Sequence, residues 1–164
     1  MKTHTVRLVA ILGMLLVGSD VLASPPGKAR LEAQGQTADG VAIKTAVVTT
    51  AYSKAMPYGR NTLWWGAEST VPKTIVSTIE VQLGQKKLLV PLSAYGDLCN
   101  PTKASVTSTK RGFNITIHGG DAAASYEAVL VFEDGLIRRR KVASMEFPDT
   151  AWEETTYSFN INDK

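Results

Sequence analysis

One cysteine and two histidines are all that this 164-residue chain offers of the side chains that most often carry chemistry. A lone Cys99 cannot close a disulfide within the chain, so any fold must hold by its core. Its neighbours Leu98 and Asn100-Pro101 read as a packed turn, and the thiol is expected buried and unpaired. His4 lies in the N-terminal apolar segment, which leaves His118 alone in the body of the chain. A histidine-based zinc site needs more ligands than one imidazole and one thiol supply. No metal site, no cofactor and no catalytic residue is assigned. Charge is nearly balanced at +3. A nucleic-acid binder carries a stronger basic excess, so no nucleic-acid partner is expected.

Long apolar runs are also missing, except at the start. Lys2 and Arg7 precede the ten apolar positions Leu8 to Val17, Gly18 breaks the run, and Val21-Leu22-Ala23 sets small residues before Ser24. This is the pattern of a secretory signal. Ten residues are too few for the roughly 20 that span a bilayer. Ser24 offers no thiol for lipid attachment. Residues 1–23 are therefore expected to be a cleaved signal peptide, and the product periplasmic or secreted, of bacterial type. No transmembrane segment is expected in the mature chain, which keeps 141 residues and a charge of +2. That length suits one domain burying about two thirds of its unfolded surface.

What is present is alternation. Residues 24–41, with Pro25-Pro26, Gly27, Gly35 and Gly40, show no sustained period and read as a flexible leader. A single domain is expected over 42–164. Ile75, Ser77, Ile79, Val81 and Leu83 alternate with polar residues, and Leu88, Val90 and Leu92 follow in phase after Gly84-Gln85. Glycine first in a two-residue loop suits a type II′ turn. That turn pairs Val81 with Leu88, Ile79 with Val90 and Ser77 with Leu92. A one-residue slip would put the apolar sets on opposite faces. A second hairpin turns through Thr109–Gly112 and pairs Val106 with Ile115. A third turns at Asp134-Gly135, a type I′ signal. Its first strand, with Tyr126, Ala128, Leu130 and Phe132 on one face and Val129 and Val131 on the other, reads as central. Ile43–Tyr52, Asn61–Trp65 and Thr155–Ile161 look extended, and Ser93 N-caps a short helical turn. About eight short strands predict an all-β fold, a single antiparallel β-sandwich or barrel.

Seven residues stand out as binding candidates. Trp64 and Trp65 are adjacent, so on a strand they face opposite ways, one into the core and one outward. Trp152 joins them as a third large aromatic. Arg138 and Arg140 share a strand face within Arg138-Arg139-Arg140-Lys141, and alternating charge on both faces suits an edge strand. His118 and Asp121 flank Gly119-Gly120, a tight turn in the plainest reading and a ligand loop in the other. Glu153 and Glu154 would diverge on a strand and do not make a glycosidase pair.

These features favour an exported, non-catalytic β-domain that binds a protein or glycan of the cell envelope. The alternatives are a small hydrolase using His118 with a carboxylate, and a structural envelope protein that assembles with its own kind. An acidic neighbour in a pocket with His118 would favour the enzyme, and an exposed aromatic patch would favour binding. N-terminal sequencing of the exported product should begin at Ser24. A product that begins at Met1 would contradict the signal.

Overall fold

The computed structural model describes residues 29–54, 63–68 and 71–159. The expected signal peptide lies outside them. Among the described residues nine strands run in order: β1 Arg30–Gln36, β2 Ala42–Ala51, β3 Thr74–Leu83, β4 Lys86–Leu88, β5 Pro101–Thr109, β6 Gly112–Gly119, β7 Tyr126–Glu133, β8 Leu136–Ser144 and β9 Ala151–Thr156. Short 3₁₀ turns occupy Leu92–Ala94 and Ala122–Ala124. Every strand pairs antiparallel with its sequence neighbour, in sheets β1-β2-β3-β4 and β5-β6-β7-β8-β9. Among the described residues no helix is long and apolar enough to cross a membrane.

Local turn chemistry sets the hairpins. Gly84 takes φ +57 while Gln85 stays at negative φ, as a type II′ turn requires, and Val81 faces Leu88. Asp134 and Gly135 both take positive φ, +53 and +72, the type I′ signature. Val106 faces Ile115 as expected. The loop there is tighter than expected, because Thr109 and Gly112 pair directly and leave only Lys110-Arg111 in the turn.

The two sheets bury one apolar core. Ile43, Val47, Ile79 and Val81 from the first sheet meet Phe113, Ile115, Leu130 and Phe132 from the second. Phe113 and Phe132 stack at 4.9 Å across neighbouring strands. The sheets also approach at their β1 and β5 edges. A Cβ on Gly35 would lie 2.9 Å from Val106 Cγ1, so glycine permits this contact.

Four expectations need correction. Residues 30–36, placed in the flexible leader, form β1 and pair from Arg30–Val48 to Gln36–Ala42. Leu31, Ala33 and Gly35 alternate with polar residues, but Ala and Gly carry too little apolar surface to make the period visible. The first long hairpin stops at Leu88, because Pro91 heads the 3₁₀ turn and Ser93 lies inside it with no side-chain cap bond. The last strand is Ala151–Thr156, not Thr155–Ile161, and Ile161 lies outside the described residues. Of Asn61–Trp65, only Leu63 to Trp65 are described, and Trp65 makes an isolated bridge rather than a strand.

Among the described strands four register shifts change the phase of the alternation, one of them on β5, where Thr102 is extra between the pairs Pro101–Gly119 and Lys103–His118. Ser77 is the extra residue between the pairs Thr78–Val48 and Val76–Thr49, and its hydroxyl donates to the Val48 carbonyl at 3.0 Å. Ile79 and Val76 therefore face the main core, while Ile75 turns to a second cluster with Trp64 and Cys99. Arg138 is the extra residue on β8, and Trp152 on β9.

Ile79→Asp should destabilise the domain by several kcal/mol, since it sets an unpaired charge in a dry core. Glu80→Gln, on the exposed face, should cost less than about 1 kcal/mol. Urea denaturation distinguishes them, and equal losses would contradict the assigned faces.

Candidate functional site

The hairpin turns crowd one end of the sandwich, where residues of four of them line a common depression. The long connections meet at the other end. Asn100 ties them. It sits in the left-handed region at φ +46, a conformation Asn tolerates. Its Oδ1 accepts from the backbone N–H of Lys73 and Thr74, at 3.1 and 3.0 Å, and its Nδ2 donates to the Gly66 carbonyl at 2.8 Å.

This frame orients the two tryptophans. Trp65 bridges Leu98 in parallel, its N–H donating to the Asp97 carbonyl at 3.0 Å and its carbonyl accepting from Cys99 at 2.9 Å. Trp64 is buried beside Ile75 and Cys99, with Tyr52 edge-on at 5.8 Å. Trp65 points the other way and is half-buried. It stacks on Trp152 with ring centroids 5.3 Å apart and planes 19° from parallel. The bulge makes this pair possible. An extra residue re-aims its side chain off the regular pleat, and it brings Trp152 over Trp65 while Glu153 still reaches inward.

Beneath the pair lies Arg140, only 2% exposed. Its Nη1 donates to Glu153 Oε1 at 2.7 Å and its Nη2 to Asp97 Oδ1 at 2.6 Å. Glu153 Oε2 accepts from the Trp65 indole N–H at 3.2 Å, and Oε1 also accepts from the Thr155 hydroxyl. The contacts close into a ring: Asp97 to Arg140, Arg140 to Glu153, Glu153 to Trp65, and Trp65 back to the Asp97 carbonyl. One cation serves two carboxylates. Burial pushes the Asp97 carboxyl above its ordinary range; the Arg140 charge and hydrogen bond offset part of this, and Glu153 adds to it. Arg140 Nε and the Tyr126 hydroxyl have no hydrogen-bond partner among the described residues.

The arginine run departs from expectation. β8 lies between β7 and β9 and is not an edge. Strict alternation would put Arg138 and Arg140 on one face, but Arg138 is the bulge residue. Ile137 and Arg140 can then both point into the core. Arg139 pairs with exposed Glu154 at 3.3 Å, and the Lys141 ammonium donates to the Pro148 carbonyl at 2.7 Å. Arg140 is thus a buried strut and not a rim charge.

His118 and Asp121 stand apart from this ring. His118 Nε2 lies 2.9 Å from Glu127 Oε2 on the adjacent strand, with both side chains partly exposed. Asp121 is exposed ahead of the second 3₁₀ turn and makes no side-chain cap bond. The glycines between them serve packing. A Cβ on Gly119 would meet the Tyr126 ring at 2.6 Å, and Gly120 takes φ +75. No hydrogen bond or ion pair among the described residues links His118 or Asp121 to Trp65 or Arg140. No group of three His, Cys, Asp or Glu suited to a metal ion occurs among the described residues.

Asp97 and Glu153 were missing from the sequence candidates. The adjacent Glu153-Glu154 hinted at the second, but Asp97, 43 positions from Arg140, carried no local signal. Cys99 is fully buried, its Sγ 3.1 Å from the Trp65 carbonyl, and it has no disulfide partner.

Arg140→Ala should cost about 3–5 kcal/mol in denaturant unfolding, because it strands two half-buried carboxylates. Arg139→Ala, which breaks an exposed pair, should cost less than about 1 kcal/mol. The Cys99 thiol gives a pH test. Burial, with smaller contributions from Asp121 and Asp97, raises it from 9.0 to about 12. The folded state then holds this proton longer than the unfolded chain. Its contribution to stability is full below about pH 9 and falls by about 1.4 kcal/mol per pH unit up to the folded value. Cys99→Ala should flatten part of that alkaline slope. An unchanged slope would contradict the burial.

Comparison of the chain with protein-family models, with characterised proteins and with solved structures finds no match.

Proposed function

We propose that this chain is an exported, non-catalytic binding domain of the cell envelope, periplasmic or secreted, and that it holds a protein or glycan partner at the Trp65–Trp152 pair. The observation that carries the proposal is the stacked pair itself. Trp152 is 42% exposed, on a strand whose neighbouring polar groups are already committed to one another. An aromatic face held rigid from behind offers a large contact area at small entropic cost. The ring of hydrogen bonds supplies that rigidity. Because Glu153 is engaged by Arg140, Thr155 and Trp65, it supports the platform and is poorly placed to act as an acid or base.

The His118–Glu127 contact favours a second reading, a small hydrolase with His118 as base and Glu127 as its orienting carboxylate. Against it, the pair lies on a half-exposed sheet face. The depression over β1–β3 and the one among the hairpin turns are both lined by other residues.

The test is capture from the native envelope with the exported chain as bait. Trp152→Ala should weaken capture by about 2 kcal/mol or more, roughly 30-fold, with an unchanged melting temperature. His118→Gln should leave it intact. Capture that survives Trp152→Ala would defeat the platform reading. Hydrolytic activity lost in His118→Gln would favour the second.

A further inference from the structure

The β8–β9 connection carries more than Trp152. Every residue from Met145 to Trp152 is exposed. Three of these side chains are large and apolar: Met145 at 45%, Phe147 at 67% and Trp152 at 42% exposed. Solvent does not favour such a cluster on one short loop, and exposed apolar patches mark contact surfaces. Glu146 and Asp149 flank Phe147, and neither has an ion-pair partner among the described residues. Glu153 and Glu154 follow. From Val142 to Asp163 there is no lysine or arginine, in a chain whose net charge is +3. The loop from Met145 to Trp152 itself therefore carries only acidic charged side chains, Glu146 and Asp149; the cations of this hairpin stand on β8, where Arg139 pairs with Glu154, Arg140 with Glu153, and Lys141 reaches the Pro148 carbonyl.

The loop is also built. The Met145 N–H donates to the Ser125 carbonyl at 3.3 Å, and the Thr150 N–H to the Phe147 carbonyl at 3.1 Å. The Glu146 N–H donates to the Ser144 hydroxyl at 3.1 Å, and Lys141 reaches across to the Pro148 carbonyl. Phe147 is thus presented at the tip of an ordered turn, which lowers the entropy lost on contact.

We infer that the partner is a protein, and that it receives this hairpin in an apolar cleft rimmed by lysine or arginine. This rests on the binding function proposed above and names the partner's chemistry. Phe147 and Met145 fill the cleft, with Trp152 at its border. Glu146 and Asp149 meet the cationic rim, which sets orientation and speeds encounter more than it adds affinity. A neutral glycan offers flat C–H faces to a tryptophan but no cations to these carboxylates.

The test is selection of a displayed random-peptide library on the exported chain, with a glycan array in parallel. Peptides that combine apolar residues with lysine or arginine should be enriched. A synthetic peptide of the enriched sequence should bind more weakly as salt rises. The double variant Glu146→Lys, Asp149→Lys should weaken it at least about tenfold, and so should Phe147→Ser. Lys110→Glu, at the opposite end of the sandwich, should change it by less than about twofold. All these positions are exposed, and unchanged melting temperatures confirm the fold. Enriched peptides without basic residues, or binding indifferent to the charge reversal, would overturn the cationic partner and leave the binding function standing. Trp152-dependent binding of glycans alone would overturn the protein partner and leave the platform standing. No binding in either format would overturn both.

Discussion

The guanidinium of Arg140 is the point on which the loop end of this sandwich depends. It projects from β8 into the core and ends between two carboxylates, Asp97 from the connection before β5 and Glu153 from β9. Burying three ionised groups costs several kcal/mol per ion, and their attraction need not recover it. What the fork supplies is direction. Apolar contacts are proportional to area and indifferent to orientation, whereas two charge-assisted hydrogen bonds at 2.6 and 2.7 Å fix both segments against one strand. The Trp65 indole, bonded to the same Glu153 carboxylate, inherits that position, and Trp152 inherits it by stacking.

The two ends of the domain therefore divide the work. At one end four tight turns, two of them of hairpin types II′ and I′, do little but reverse the chain. At the other, connections from before β3, before β5 and before β9 converge, and irregular backbone is held by side chains: Asn100, Asp97 and Glu153. A rigid sheet scaffold that carries its variable contacts on loops is a common division in binding proteins. The exposed Phe147 tip and the Trp65–Trp152 pair both lie on this end.

Much of the sheet was legible in the sequence, and the reason is period. Val81 facing Leu88, Val106 facing Ile115 and the turn at Asp134-Gly135 all follow from alternation and turn chemistry. The site was less legible, because its residues lie where alternation breaks. A bulge inserts one residue and inverts the phase beyond it. The bulge at Arg138 hides that Arg140 points inward, and the bulge at Trp152 hides that it meets Trp65. Asp97 was invisible for a different reason, since nothing local links it to a strand more than forty positions away. Trp64 and Trp65 diverge, as neighbours on an extended chain do, but both meet apolar surface: Trp64 the second cluster, and half-buried Trp65 the main core.

The central claim is that the Arg140 ring holds the loop end as a unit. It is tested most directly by amide hydrogen exchange on the Glu153→Gln protein, which keeps the side chain's shape and removes its charge. The account predicts a selective loss of protection at the Trp65 and Cys99 amides, which are bonded across this end. Protection at Ile115 and Leu130, in the middle of the second sheet, should remain. Unchanged protection at Trp65 and Cys99, or an equal loss across the whole domain, would contradict it.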